Sequence, residues 1–561
     1  MPRTPASFSL QSDEASSRTQ PLFFTDVADL TELATTSRRP ALAVAVAALL
    51  PRALPGHEAL AFYADGPDPY PDDNPYDEPY RRPYRPLVPE PEAPNEPSGP
   101  ENPEQLAEQR PTEERDKPVA DAKRTGPEAP LGRRPGIGEP GMTTEWPSGL
   151  DVGALRTAGL RPMPFRQFVL KTHGRCNLSC TYCYVYHSED QSWRDKPVRV
   201  SDSVIERVAD RIAEHAHSHA LRAVETNLHG GEPLLTGPGL PIRYVEAVRQ
   251  RVAEVTGGRC SVHASLQTNG TLLNRRTLDA LAVAKVRVGI SLDGGLARHN
   301  RRRVDHAGRP AWPAASRGVR LLADYPDLYA GVLSTVDPRV PVGAVYTSLL
   351  DLAPPSLEFL LPHATWSSPS PGMCTHPDGP RPTPYGDWLA AAFDLWFDAD
   401  RPPPHIRLFT DVIALLAGLP AASDAVGMSP MVAVVVETDG TVEQVDSLKT
   451  AYHGAAVTGM DVFRHSFDEV LNHPGVVARQ LGRAALAATC QACPVVAVCG
   501  GGNYAHRYRA GEGFLNPSVY CGDLEHLIRH VSRRLGGELR ELGYVARGNG
   551  RGPHPQCPRR V

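Results

Sequence analysis

No run of apolar residues in this chain reaches the ~18 that a membrane span needs; the longest candidate, 41–50, stops at Pro51. The N-terminus lacks the basic, apolar and small-residue order of a secretory signal. Charge of one sign is also scarce: 59 Lys and Arg face 64 Asp and Glu, a net charge of -5. So small an imbalance gives no argument for nucleic acid or an anionic membrane surface as partner. A cytoplasmic protein without membrane or nucleic-acid partners is the expectation. Core material is not lacking, since 41% of the 561 residues are hydrophobic and 22% charged, enough for several domains.

Scattered cysteine is nearly missing too. Of ten cysteines, Cys176, Cys180 and Cys183 form one group, and Cys490, Cys493 and Cys499, with Cys521 soon after, form another. Cys260, Cys374 and Cys557 stand alone and read as ordinary core or loop thiols. In a chain expected in the cytosol, clustered cysteines point to metal ligation before disulfides.

Composition divides the chain. Residues 1–65 form a mixed N-terminal extension with a short helix expected at 41–50. A proline-rich linker, expected to be disordered, covers 66–155; residues 67–147 hold 20 of the 57 prolines, and such a segment cannot offset its ordering entropy by burial. Tyr70, Tyr76, Tyr80 and Tyr84 recur within it. From about 160 strands alternate with helices. Segments 165–172, 222–229, 260–268, 286–292, 331–336 and 357–361 read as buried parallel strands, and Ser203 with Glu206 reads as a capping box opening the first crossover helix. This predicts an α/β fold, a partial six-stranded β/α barrel over 160–365 with its chemistry at the C-terminal strand ends. A bridging region, 366–480, follows, in which 432–437 and Asp439-Gly440 read as a hairpin start. A cysteine-rich domain spans 481–525, and a helix and tail close the chain at 526–561.

The first cysteine group directly follows the first predicted strand. Thiolates are the soft ligands of iron–sulfur clusters, and three of them leave one iron of a cubane open to chelate a substrate. A zinc site completed by His173 or His187 is the alternative. After the second strand, Gly230 and Gly231 let the backbone approach a ligand closely, followed by Glu232 and Pro233. Polar side chains end later strands: Ser265, Gln267, Thr268 and Asn269 on the third, Ser291 and Asp293 on the fourth, Ser334 and Thr335 on the fifth. Turn chemistry explains Asn269 and Asp293 equally well.

Cysteines separated by three and then two residues after a strand resemble the signature of the radical SAM superfamily. That resemblance implies a 4Fe-4S cluster on Cys176, Cys180 and Cys183 whose open iron binds S-adenosylmethionine (SAM), and one-electron cleavage to a 5′-deoxyadenosyl radical. Tyr182 matches the aromatic usual before the last cysteine. The resemblance assigns SAM contacts to Tyr182, Gly230, Gly231, Glu232, Pro233, Gln267, Asn269, Ser291 and Asp293. The second group resembles the SPASM domain of peptide-modifying radical SAM enzymes, which implies an auxiliary 4Fe-4S cluster on Cys490, Cys493, Cys499 and Cys521. Full SPASM domains carry about seven cysteines. Here the one expected after the hairpin is absent, and a four-cysteine zinc site is the alternative.

Gln191-Ser192-Trp193, Gly500-Gly501-Gly502, the stretch from Asn516 to Tyr520, and the stretch from Pro164 to Phe168 add a likeness to the FxsB-type cyclophane-forming maturases. That likeness covers about 160 to 525. It implies a ribosomal precursor peptide as partner, separate or fused at the N-terminus, and a reductant such as flavodoxin or ferredoxin. The implied reaction is Cβ hydrogen abstraction followed by an aromatic-to-Cβ cross-link. Asp446 and Glu437 are the candidate proton acceptors. Other radical SAM modifications compete with this reading: thioether formation, epimerisation and sulfatase-type maturation. A zinc-stabilised, non-catalytic peptide-binding scaffold competes from another class. Residues 1–90, with their leader-like segment and aromatic-x-x units, suggest a fused precursor.

Overall fold

A computed structural model describes residues 39–53, 146–370 and 382–541. Tyr70, Tyr76, Tyr80 and Tyr84, the leader-like stretch at 21–30, Cys374 and Cys557 lie outside the described residues.

Helix α1 (Pro40–Ala53) buries Ala41, Leu42, Ala45, Val46 and Leu49, an apolar stripe at helical spacing. Arg39, just before it, pairs with Asp398 and Glu538 and lies over the Phe397 ring. Six strands follow: β1 (Gln167–His173), β2 (Ala223–Gly230), β3 (Ser261–Thr268), β4 (Arg287–Ser291), β5 (Tyr329–Thr335) and β6 (Ser356–Leu360). They are parallel and adjacent in chain order. Each pair is joined by a crossover helix: α2 (Asp202–Ser218), α3 (Gly239–Thr256), α4 (Arg275–Val283), α5 (Trp312–Leu322) and α6 (Val342–Leu350). Strands covered on both faces need apolar side chains on both. β1 has all seven residues buried, the apolar Phe168, Val169 and Leu170 together with the polar Gln167, Lys171, Thr172 and His173.

The first crossover helix starts earlier than its sequence signal. Ser201, extended at φ -87 and ψ 159, caps it by accepting from the Val204 backbone N–H. Ser203 and Glu206 lie inside the helix, so they do not form the expected capping box. Asp202 takes the first-turn position, where a carboxylate complements the helix dipole.

The sheet is larger than the six expected strands. On one side β7 (His405–Ile406) pairs with β6. On the other, β8 (Ala433–Val436) joins β1 in parallel, and β9 (Thr441–Glu443) and β10 (Val457–Asp461) continue antiparallel. The order is β10-β9-β8-β1-β2-β3-β4-β5-β6-β7. The expected hairpin therefore exists as β8–β9 and extends the barrel sheet directly. Helices α7 (Pro384–Phe397), α8 (Arg407–Leu416) and α9 (Cys521–Glu541) pack against this body and share its main core. No helix among the described residues is long and apolar enough to cross a membrane.

Candidate active site

A cavity of about 500 Å³ opens at the C-terminal ends of β1 to β6. Cys176, Cys180 and Cys183 line it from the loop after β1. The loop is fixed from outside: Ser179 and Thr181 donate backbone N–H to the carbonyls of Val304 and Arg302 at 2.7 and 3.0 Å. The Leu178 N–H donates to Cys176 Sγ at 3.3 Å, and Asn269 Nδ2 lies 3.7 Å from the same sulfur. Arg175 grips Trp193 from two directions, donating to its carbonyl at 3.0 Å and lying over its ring. That contact gives the Gln191–Trp193 segment a structural task beside the first thiol.

The glycine pair brings β2 against this loop. A Cβ on Gly230 would lie 2.3 Å from the His173 carbonyl, and one on Gly231 only 2.0 Å from Tyr186 Oη and 2.4 Å from the Arg175 carbonyl carbon. Both glycines also line the cavity. Glu232 does not. Its buried carboxylate accepts from Thr268 Oγ1 at 2.7 Å and from the N–H groups of Asn269 and Leu234 at 2.8 and 3.1 Å. Burial pushes its pKa up, and those three donors act against the shift. Pro233 is not on the cavity wall either.

The other residues expected to contact SAM divide similarly. Tyr182, Gln267, Asn269 and Ser291 line the cavity, with Gln267 Nε2 donating to Ser291 Oγ at 2.9 Å. Asp293 sits behind it. Its carboxylate accepts from Tyr182 Oη at 2.6 and 2.7 Å, and Arg303 donates to the same phenol at 2.8 Å. Asp293 thus holds the aromatic that faces the cavity.

The two candidate proton acceptors separate as well. Asp446, in the turn after β9, lines the cavity; Glu437, after β8, does not. Glu437 accepts from Lys449 Nζ at 2.7 Å, and Glu443 lies 2.8 Å from the same ammonium. Lys171 of β1 donates to Asp446, and Lys449 stands 3.5 Å from its other oxygen. Burial works against the Asp446 charge, but Lys171 and Lys449 outweigh it and hold the carboxyl well below its usual range. Beside it, burial pushes Glu443 up to about 7. His229, at the tip of β2, completes the group, with Nδ1 3.4 Å from Lys171 Nζ. Burial and the neighbouring ammonium push His229 down to about 4. Sequence reasoning missed Lys171, His229 and Lys449. The available signal was Lys171, a charged residue directly after the apolar run 168–170 of a strand expected to be buried, where it stays only with a partner.

The second cysteine group gathers elsewhere. Cys490 and Cys499 lie on two single-turn helices, Cys493 in the turn between them, and Cys521 opens α9. Gly500, Gly501 and Gly502 all have positive φ, at 57, 82 and 66°. Buried Arg507 donates to all three of their carbonyls, at 2.7 to 3.1 Å. The turn after Cys499 is thereby tied to a guanidinium that also faces the thiols.

Neither group is drawn together as tightly as a single-ion site. Among the described residues, the sets whose ligand atoms lie within 4.8 Å of one another are His215, His219, Asp468 and Glu437, Glu443, Asp446; neither contains a cysteine. Thiolates about 2.3 Å from a tetrahedral zinc would fall inside that limit. The thiols of each group nevertheless sense each other's charge. Burial pushes Cys176 and Cys499 each to about 12, with the neighbouring thiols of each group raising them further. Clusters on these residues would relieve that cost by taking the thiolates as ligands.

Comparison with known proteins bears on the same residues. The family model described as Radical SAM superfamily matches residues 170–325, which span the first thiols and the tips of β1 to β4. The serine-type anaerobic sulfatase-maturating enzyme of Klebsiella aerogenes is 27% identical over 405 residues, 69% of this chain and 94% of the relative. The cysteine-type anaerobic sulfatase-maturating enzyme of Clostridium perfringens (strain 13 / Type A) is 24% identical over 389 residues, 66% of this chain and 97% of that one. The solved structure of native anSMEcpe with bound AdoMet superposes with a TM-score of 0.54 at 22% identity, over 66% of this chain and 98% of that chain. The last likeness is one of fold.

Proposed function

From a radical SAM domain in a chain homologous to anaerobic sulfatase-maturating enzymes, we propose that this protein oxidises a side-chain β-carbon of a peptide or protein substrate by two electrons. The observation that carries the reading is the placement of Asp446, kept ionised by Lys171 and Lys449, on the same cavity as Cys176, Cys180 and Cys183. Cys176, Cys180 and Cys183 would hold the SAM-binding 4Fe-4S cluster, and Cys490, Cys493, Cys499 and Cys521 an auxiliary one. When bound, the clusters and SAM supply a 5′-deoxyadenosyl radical for the β-hydrogen and an acceptor for the second electron.

The protein's own groups do the rest. Tyr182, fixed by Asp293 and Arg303, and Gln267, Asn269 and Ser291 line the wall beside the thiols and position SAM. Gly230 and Gly231 keep that wall close to the cysteine loop. Asp446 receives the proton that the oxidised residue releases. The enclosing strand tips keep water from the radical.

The product favoured first is that of sulfatase-type maturation: a serine oxidised to the aldehyde, two hydrogens lighter. It is supported by the likeness to sulfatase maturases across nearly their full length. A second reading, an aromatic-to-Cβ cyclophane cross-link, is favoured by the Gln191–Trp193 and Gly500–Gly502 segments, each of which supports a cysteine loop. Under it, residues 1–90 act as a fused precursor. Flavodoxin or ferredoxin is the proposed electron donor in either case, and the cytosol the proposed location.

The test uses anaerobically reconstituted protein with SAM, dithionite and two synthetic peptides. One carries a serine; the other spans residues 68–86 of this chain, with Tyr70, Tyr76, Tyr80 and Tyr84. A product two hydrogens lighter, formed in step with 5′-deoxyadenosine, supports the reading, and fragmentation separates an aldehyde from a cross-link. Abundant 5′-deoxyadenosine with neither peptide altered would sink it.

A further inference from the structure

His229 is the penultimate residue of β2, and its ring faces the cavity beside Gly230 and Gly231. Its side chain is 24% exposed, whereas those of Asp446 and Lys171 are 8% and 3%. Of the three, the imidazole is the group that reaches the open space.

Hydrogen-bond chemistry fixes which face of the ring looks outward. Lys171 Nζ lies 3.4 Å from His229 Nδ1 while also donating to Asp446. An ammonium has only donors to offer, so a hydrogen bond at this contact takes the Nδ1 lone pair. In a neutral imidazole the single proton then sits on Nε2. Nε2 makes no hydrogen bond within the protein among the described residues, and it is not among the buried atoms that lack a partner. It is a donor left for something in the cavity. The charged groups around the ring are Lys171, Asp446, Glu437 and Lys449; burial, then the two ammoniums, keeps it uncharged at neutral pH against the pull of the two carboxylates.

We propose that His229 is a substrate-positioning residue: with Nδ1 turned to Lys171, it donates Nε2–H to a hydroxyl or carbonyl oxygen of the peptide substrate, beside the Asp446 carboxylate. The assignment rests on the peptide-oxidase reading above and adds to it the chemistry that seats the substrate. A reacting hydroxyl needs a donor to hold its oxygen and an acceptor for its proton. His229 Nδ1 and Asp446 Oδ2 lie 3.9 Å apart, so the donor ring and the acceptor carboxylate stand side by side. Lys171 serves both, aligning the carboxylate and selecting the tautomer.

The experiment compares His229→Gln, which keeps an N–H donor near the Nε2 position, with His229→Leu, which has none. Reconstituted holoenzyme is assayed with SAM, dithionite and whichever of the two synthetic peptides the parent oxidises. His229→Leu is expected to raise KM about tenfold, the effect of one lost hydrogen bond, and His229→Gln to restore KM to within about threefold. An unchanged KM in His229→Leu overturns the proposal. So does a His229→Gln variant as impaired as His229→Leu, or a loss of peptide-free 5′-deoxyadenosine formation as large as the loss of peptide oxidation, which would place the ring in the SAM site. If the parent oxidises neither peptide, the oxidase reading fails by itself. The tautomer is then still read from nitrogen chemical shifts of histidine-labelled protein, with His229→Gln identifying the signal. A proton on Nε2 at pH 7 is expected; a proton on Nδ1, or a charged ring, overturns the assignment.

Discussion

Two buried ammoniums, Lys171 and Lys449, serve Asp446, Glu437 and Glu443 unequally. Lys171 and Lys449 flank Asp446 from opposite oxygens, while Glu437 and Glu443 share Lys449 alone. Burial therefore prevails at Glu443, which it lifts to about 7, and the ammoniums prevail at Asp446. A carboxyl whose pKa is depressed is ionised everywhere above its ordinary value, about 3.9 for aspartate. Lowering the pH from 8 to 5 should then leave Asp446 ready to take a proton, and the pH profile should show no acid limb from this group. Asp446→Asn keeps the shape and removes the basicity. It should lower the ratio of oxidised peptide to 5′-deoxyadenosine by about 10²-fold or more, the usual worth of a positioned base. A ratio unchanged in the variant would move the proton acceptor elsewhere.

At the level of elements, the decisive contact is the close approach of the β2 tip to the cysteine loop. Gly231 has no room for a side chain, because Tyr186 Oη and the Arg175 backbone occupy the place a Cβ would take. The Arg175 backbone cannot yield cheaply, since Arg175 also grips Trp193 and the Glu232 N–H donates to its carbonyl at 3.0 Å. Gly231→Ala should cost about 1–3 kcal/mol of stability, as overpacking does, and should lower iron retained by the first cysteine group. Thermal unfolding and iron content read the two effects. A variant with parental melting temperature and iron would refute the close-approach argument.

Much at this level was legible in the sequence. Each expected strand overlaps an observed one, because a strand buried on both faces reads as an apolar run between turn residues. The expected helix at 41–50 lies within α1 for a similar reason. What could not be read were relations between distant segments. Nothing local in Ala433–Val436 announces that it will pair with β1 as well as β9. Glu232 and Asp293 carry motif positions that suggest ligand contact, yet both turn inward, to the β3 tip and to Tyr182. Lys171 and His229 lie 58 positions apart, and no periodicity in either segment links them.

In the whole molecule, β8 to β10 carry the barrel sheet toward the second half of the chain. β8 hydrogen-bonds to β1, the strand that leads into Cys176. The loop from Cys490 to Cys499 is bound back to the same half, where the Gly427 N–H donates to the Val498 carbonyl at 2.9 Å. Two cysteine groups on one continuous body are suited to passing an electron between a reaction cavity and a second cluster. The number of clusters follows from the ligands at hand. Among the described residues, Cys260 lies apart from both groups, buried beside Ser261 at the start of β3. That leaves three thiols for the first cluster and four for the second. With four irons in each, anaerobically reconstituted protein should hold about eight irons per chain, and a Cys176→Ala/Cys180→Ala/Cys183→Ala variant about four. About twelve in the parent would require ligands other than these cysteines for a third cluster. About four in the parent and none in the variant would make the second group a zinc or vacant site, leaving the proposed oxidation without its electron acceptor. Bound zinc without iron would remove the radical chemistry altogether.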